Sequence, residues 1–398
     1  MEKKLITIDG NEAAANMAYD FTEIAAIYPI TPSSPMAEHT DFWSAKGRKN
    51  MFGQTVTLTE MQSEAGAIAA VHGAAQTGSL ATSFTSSQGL MLMIPVLHRI
   101  AGERLPVVLH VAARTVGTHA MSIFGDHSDV MCCRNTGFAM LCSGSVQEVI
   151  DLASVAHLAA IKGSTPFMHF FDGFRTSHEI NTAEMIDTSK LRDLVDQRAL
   201  AAFRNHALNP EHPLMRSTVQ NPDVFFQVRE ACNPYYDKLP EIVEDYLTEI
   251  NNITGRDYHL FNYYGAPDAE YVIVTIGSVS GLVRSVVDEL RRDGVAAGLL
   301  KIRYMRPFPD AEIAEILRGV KAVGVLEKDI SFGYEGTVFT NVNSALQVAG
   351  LSVRTSNFIG GLGGADISRE QIRDIFQSLE SDGRRLNFLG INREEYDD

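Results

Sequence analysis

Ile24-Ala-Ala-Ile-Tyr28-Pro29-Ile30-Thr31-Pro32-Ser33-Ser34-Pro35 runs from a short apolar segment of β type into a turn punctuated by prolines, ahead of a helical pattern. Proline fixes the turn, and Thr31 and Ser33 can present hydroxyls or exposed amides there. If the apolar run is a parallel strand, that turn lies at its carboxyl end, the edge where open α/β sheets bind ligands. The same residues also suit a plain strand-to-helix turn capped by serine.

The rhythm repeats outward from this stretch. Up to about Phe171, aliphatic or β-branched runs at 24–28, 80–84, 106–111 and 166–170 alternate with helical patterns of about 12 to 18 residues. Strand and helix in alternation imply a parallel sheet covered by helices. Ser145 and Glu148 have capping-box spacing, with Val149, Leu152, Ala153 and Ala156 following at helical intervals. Between about 181 and 264 the pattern gives way to polar residues, Pro210, Pro213, Pro222, Pro234 and Pro240, and one amphipathic segment at 240–250, so a crossing segment is expected. Strands are then expected at 271–276, 296–302, 322–327 and 352–358, with helices at 280–292, 310–318 and one ending near Val348. The fold class is therefore α/β with two doubly wound domains, 1–255 (crossing segment included) and 256–398.

With 34 basic and 49 acidic residues the chain carries a formal charge of -15, which repels nucleic acid and anionic membrane surfaces. No run reaches the roughly 18 apolar residues of a membrane span; the best, 90–97, is short and contains Pro95. Residues 1–10 lack an apolar signal core, and a cytoplasmic location is expected. Cys132, Cys133, Cys142 and Cys232 form neither a disulfide framework nor a cluster-binding run and read as small core residues.

Several segments hold chemistry-bearing residues. In Glu60-Met-Gln-Ser-Glu64-Ala-Gly66, Glu64 leads into a helix of small residues that permits close approach, or is a surface acid favoured by the helix dipole. Thr31, Glu64, Gln88 and Arg114 each follow a strand-like run, which would gather them along one sheet edge. Arg114 is either a clamp for a ligand carboxylate or the partner of a nearby acid. The loop Ile123-Phe-Gly-Asp-His-Ser-Asp129 mixes acids and imidazole in a way that suits a metal or a general base, with few ligands for either. The turn from Asp172 to Glu179 reads as structural, and Gly360-Gly-Leu-Gly-Gly364 reads as an anion-binding turn or a tight turn.

Taken together, Tyr28–Pro35, Glu60–Gly66, Thr85–Leu90, Ser122–His127 and Phe170–Glu179 resemble the amino-terminal domains of pyruvate:ferredoxin (flavodoxin) oxidoreductases. The resemblance covers essentially the whole chain. It implies a thiamine diphosphate pyrimidine-binding domain followed by a transketolase-C-terminal-like domain, with Tyr28, Pro29, Glu64 and Gln88 at the cofactor. Glu64 matches the glutamate that hydrogen-bonds the pyrimidine ring nitrogen, Arg114 the residue that pairs with the 2-oxo acid carboxylate, and Thr31 one beside the substrate. Relatives that take oxalate carry arginine at the position of Thr31, so pyruvate is the implied substrate. Such enzymes decarboxylate pyruvate oxidatively with coenzyme A and pass electrons to ferredoxin or flavodoxin. The Mg²⁺-binding Gly-Asp-Gly…Asn motif and the cysteines for [4Fe-4S] clusters are not found here, so both groups are expected in partner domains, on other polypeptides or on the rest of a longer chain. A dimer of the whole assembly is implied. The alternatives are a subunit for another 2-oxo acid, a different split thiamine enzyme, or a non-catalytic assembly module on the same fold.

Overall fold

The computed structural model describes residues 4–216, 218–381 and 385–391. The chain opens with β1 (Leu5–Ile8), α1 (Gly10–Phe21), β2 (Ile24–Ile27), α2 (Ser34–Ala45), β3 (Thr57–Glu60), α3 (Glu64–Gln76), β4 (Ala81–Thr85) and α4 (Ser87–Gly102). It continues through β5 (Val108–Ala113), α5 (Ser128–Cys132), β6 (Ala139–Ser143), α6 (Val146–Gly163), β7 (Phe167–Asp172) and β8 (Asn181–Glu184). Helices α7 (Thr188–Leu194), α8 (Gln197–Asn205), α9 (Pro222–Glu230), α10 (Asn233–Asp237) and α11 (Leu239–Thr254) follow. The second half contains β9 (Phe261–Gly265), β10 (Tyr271–Ile276), α12 (Val279–Arg292), β11 (Ala297–Ile302), β12 (Tyr304–Arg306), α13 (Asp310–Ile316), β13 (Ala322–Glu327), α14 (Thr337–Val348), β14 (Arg354–Ile359), α15 (Arg369–Glu380) and β15 (Leu386–Phe388).

Two large sheets organise these elements. The first has the order β12-β6-β7-β5-β4-β2-β3, parallel throughout except for β12, and the second has the order β15-β14-β13-β10-β11-β9, parallel except for β9. Strands β5, β6 and β7 are buried at every residue, and β5 and β7, apolar apart from His110, His169 and Asp172, were the ones expected from the sequence. A short antiparallel pair, β1 with β8, stands apart. The α/β class with two doubly wound sheets agrees with the sequence reading.

Helix α6 shows why apolar spacing located the covering layer. Val149, Leu152, Ala153 and Ala156 are all fully buried, and burying a Val or Leu side chain contributes roughly 1.5–3 kcal/mol. Its cap differs from expectation. Ser145 accepts from the Glu148 amide as a capping box requires, but the Glu148 carboxylate turns away to Gly144 N, Lys301 and Arg303. Burial alone would raise this carboxyl; Lys301 and Arg303 instead hold it down to about 2. A residue of the first layer is thereby committed to an ion cluster with the second.

Three further expectations need correction. The crossing segment is more structured than its polar pattern suggested: besides α11, which covers the amphipathic stretch expected at 240–250, it holds β8 and helices α7 to α10, and Pro222 and Pro240 sit in the first turns of α9 and α11 instead of breaking them. Strands β3, β6, β9 and β12 were not anticipated, and β12 crosses from the second half of the chain to pair Tyr304 with Leu141 of β6. Among the cysteines, Cys133 and Cys142 are core residues, whereas Cys132 is exposed and Cys232 partly so. No described helix is long and apolar enough to cross a membrane.

Candidate active site

The loops after β2 and β4 diverge, because β2 leads on to β3 at one side while β4 leads on to β5 at the other. Such a topological switch opens a crevice at the carboxyl ends of the strands. Thr31 follows β2, Gln88 follows β4 and Arg114 follows β5, so three of the sequence candidates converge on this crevice. Arg114 ties them together: Nη1 donates to the Thr31 carbonyl at 2.7 Å and Nη2 donates to Gln88 Oε1 at 3.1 Å. Arg114 is only 7% exposed, and its Nε has no hydrogen-bond partner. Burial lowers its pKa, with the charges of Asp129 and then Glu64 acting against that.

Glu64 starts α3, where Ser63 caps the helix by accepting from Gly66 N at 3.2 Å. It is 6% exposed, and its carboxylate accepts no hydrogen bond from the described residues, although its charge acts on Arg114. Gly89 in the first turn of α4 lies directly against it: a Cβ there would sit 2.7 Å from both Glu64 Cγ and Oε1. Any side chain at 89 would displace the carboxylate. Thr85 Oγ1, 2.8 Å from the same Cβ position, is buried and also unpartnered. A carboxylate and a hydroxyl side by side without protein partners form a place where an external polar ligand recovers hydrogen bonds that the fold leaves unmade.

The Thr31 turn is braced from behind. Asn11 Nδ2 donates to the Pro32 carbonyl at 2.9 Å and Ser33 Oγ to the Ile30 carbonyl at 2.8 Å. Thr31 itself is exposed, as are Tyr28 and Pro29, and no described hydrogen bond joins the Tyr28 hydroxyl to the cluster. Neither Asn11 nor Thr85 was singled out as a site residue from the sequence, although Thr85 opens the segment Thr85–Leu90 on which the resemblance rests.

The loop at 123–129 is absorbed into the frame. Asp126 accepts from Gly363 N at 2.9 Å, so the glycine turn of the second half does bind an anion, one supplied by the chain itself. His127 Nε2 lies 3.0 Å from Asp172 Oδ1, and Lys328 Nζ donates to the same oxygen at 2.9 Å. Burial would raise the Asp172 carboxyl, but Lys328 and His127 hold it well below the usual range. Among the described residues no cluster of three or more His, Cys, Asp or Glu is arranged to hold a metal.

The chain matches known proteins along most of its length. The family model described as pyruvate flavodoxin/ferredoxin oxidoreductase, thiamine diphosphate-binding, matches residues 16–248, and that for pyruvate:ferredoxin oxidoreductase core domain II matches 269–372. The chain is 52% identical over 388 residues to pyruvate:ferredoxin oxidoreductase of Moorella thermoacetica, covering 97% of this chain and 33% of that protein. It is 51% identical over 386 residues to pyruvate-flavodoxin oxidoreductase of Klebsiella pneumoniae, covering 95% and 32%. The chain thus spans about a third of the length of these curated relatives. Among solved structures, 2-oxoglutarate:ferredoxin oxidoreductase from Magnetococcus marinus superposes with a TM-score of 0.70 at 18% identity, over 95% of this chain and 66% of that one. A split-gene transketolase superposes at 0.52 and 11% identity, over 94% of this chain and 97% of that one. At these identities the likeness is one of fold.

Proposed function

The chain belongs to the pyruvate flavodoxin/ferredoxin oxidoreductase family, and from that premise we propose that it supplies the pyrimidine-side half of a thiamine diphosphate site for the coenzyme-A-dependent oxidative decarboxylation of pyruvate. The observation that carries the reading is Glu64: a carboxylate 6% exposed, pressed against Gly89, with no described hydrogen-bond partner. The residues fit the group. An aminopyrimidine offers a ring nitrogen needing a proton partner, which the Glu64 carboxylate, without a hydrogen bond from the described residues, can supply, and the unpartnered Thr85 Oγ1 lies nearby.

Thiamine diphosphate, when bound, supplies the carbon nucleophile and electron sink that decarboxylation of a 2-oxo acid requires. The work of this chain is narrower. Glu64 holds a proton at the pyrimidine ring nitrogen, a task served by seclusion from water. Two of the five guanidinium N–H donors of Arg114 are taken by Thr31 and Gln88. The remaining donors supply charge-assisted hydrogen bonds for the substrate carboxylate. Thr31, short and uncharged, borders that carboxylate, with Tyr28, Pro29 and Gln88 at the cofactor. In this proposal residues 1–255 form the pyrimidine unit and 256–398 the transketolase-C-terminal-like unit. Domains bearing the diphosphate and Mg²⁺ motif and the [4Fe-4S] clusters lie outside this chain, ferredoxin or flavodoxin accepts the electrons, and the whole assembles as a dimer.

The test is reduction of a low-potential dye by pyruvate and coenzyme A, with this chain alone and then with the complementary diphosphate and cluster domains. Activity only in the mixture is expected. Absence of pyruvate-driven reduction in a mixture whose clusters are loaded would overturn the reading.

A further inference from the structure

We propose that Asp129 is a positioning residue for Arg114, stapling together the two loops that carry Gln88 and Arg114 and so fixing where the carboxylate of a 2-oxo acid binds. The inference rests on the function proposed above. Asp129 is fully buried at the start of α5. Its Oδ2 accepts from the backbone amide of Ser87 at 2.7 Å and from that of Arg114 at 3.0 Å, and its Oδ1 accepts from Val130 N at 2.7 Å. One oxygen therefore joins the loop after β4 to the loop after β5.

The geometry that this oxygen holds is not one the chain adopts freely. Ser87 has φ +48, a left-handed conformation that non-glycine residues occupy at a cost of roughly 1–3 kcal/mol unless the surroundings impose it. In that conformation the Ser87 hydroxyl bonds to the Thr115 carbonyl and to Gln88 Oε1, the same oxygen that receives Arg114 Nη2. Gly117 closes the ring from outside, since a Cβ there would stand 2.5 Å from Gln88 Nε2. Asp129, Ser87, Gln88, Thr115 and Arg114 thus form one connected network, in which Arg114 is buried and Gln88 and Thr115 are half-buried. Asp129 sits at its root, placing the Arg114 backbone while Gln88 and Thr31 place its tip. Burial, opposed by the amides of Arg114 and Ser87, pushes the Asp129 carboxyl up to about 7. A neutral acceptor in the same place should therefore keep part of the network.

The experiment uses the complete assembly and compares Asp129→Ala, Asp129→Asn and Glu64→Gln with the parent. A guanidinium that holds the substrate carboxylate equally before and during the reaction acts on KM and leaves kcat nearly unchanged when it is displaced. Asp129→Ala is expected to raise KM for pyruvate tenfold or more with kcat changed less than threefold and thiamine diphosphate affinity unchanged. Asp129→Asn keeps one acceptor oxygen but turns a donor toward one of the three amides, so its KM is expected between the two. A KM within twofold of the parent in Asp129→Ala, or a fall in kcat at constant KM, overturns the proposal. If Asp129→Ala does not fold, Asp129→Asn decides: a raised KM supports positioning and an unchanged KM overturns it. Glu64→Gln separates the two readings. If it retains full activity the proposed half-site itself is wrong, whereas an inactive Glu64→Gln beside an Asp129→Ala of normal KM removes only the positioning role.

Discussion

Both sheets end in a carboxyl edge with helix amides and glycine turns nearby, yet the two edges are finished differently. At the second sheet the chain fills these amide positions with its own carboxyl groups. Glu327 is buried and accepts from Val338 N at 2.7 Å, Phe339 N at 3.1 Å and Asn357 Nδ2 at 2.8 Å, closing the start of α14. The Ser278 amide is taken by Asp172 at 2.6 Å and Gly363 N by Asp126, both acids of the first half. At the first sheet Glu64 and Thr85 Oγ1 are left without protein partners and Arg114 keeps unused donors. A doubly wound sheet supplies a location, and only the side chains at its edge decide whether that location is a lock between layers or a seat for a ligand.

The largest expected effect breaks the lock. Asp172→Ala leaves Lys328 and His127 without their shared carboxylate in a dry junction, and removing one partner of a buried pair costs about 3–5 kcal/mol. Denaturant unfolding should show that loss. A change below about 1 kcal/mol would mean that water or rearrangement already compensates the pair, and the two edges would differ less than described.

Next in size is the open seat. Glu64→Gln should lower pyruvate-driven dye reduction in the assembly by at least about a hundredfold, the range of one general acid–base group. It should change the unfolding midpoint of this chain little, because the carboxylate accepts no hydrogen bond from the described residues and only its charge near Arg114 is lost. A variant that is equally active, or active but much less stable, would assign Glu64 to structure.

A third effect separates the halves by pH. In the first layer His110, His157 and His169 form a buried row, with His110 Nδ1 3.0 Å from His169 Nδ1 and His110 Nε2 3.0 Å from His157 Nε2. Burial lowers His110 to about 3, and pulls His157 and His169 well down too, so the folded state refuses protons that the unfolded chain accepts below its ordinary 6.5. Stability should accordingly fall as the pH drops from about 6.5 toward 3. Burial raises Glu327 to about 8 from 4.5, so the folded state keeps a proton that the unfolded chain releases, and stability should fall as the pH rises through that interval. Each pH unit is worth at most about 1.4 kcal/mol for one such group. Unfolding midpoints measured across pH for Glu327→Gln should flatten the alkaline limb and spare the acid limb. A change in the acid limb would couple the two edges directly.

Strands β2, β4, β5 and β7 were legible because a strand buried on both faces is rich in aliphatic and β-branched residues, even where it also buries Thr82, Ser83 or His110. Edge strand β3, Thr57–Glu60, was not, since three of its four residues are exposed and no periodic signal remains. Helices α7 to α10 were hidden for a related reason: they bury so few side chains that propensity and proline carried the reading, and proline in a first turn was taken for a breaker. In the site, the loop positions of Thr31, Gln88 and Arg114 followed from strand ends, and the resemblance singled out Glu64 among several acids.

The sequence by itself determined the α/β class, the strand-end loops that carry the site residues and the family resemblance, because hydrophobic period and turn chemistry are local properties of the chain. Only the tertiary structure decided which polar residues are free and which are spent. Asp129 meets an amide 42 positions away, Asp126 one 237 away and Asp172 one 106 away. The burial that leaves Glu64 without a partner depends equally on Gly89, brought there by a different strand. Hydrogen-bond satisfaction is settled by what the fold brings within about 3 Å, and that distance has no representation in the order of residues.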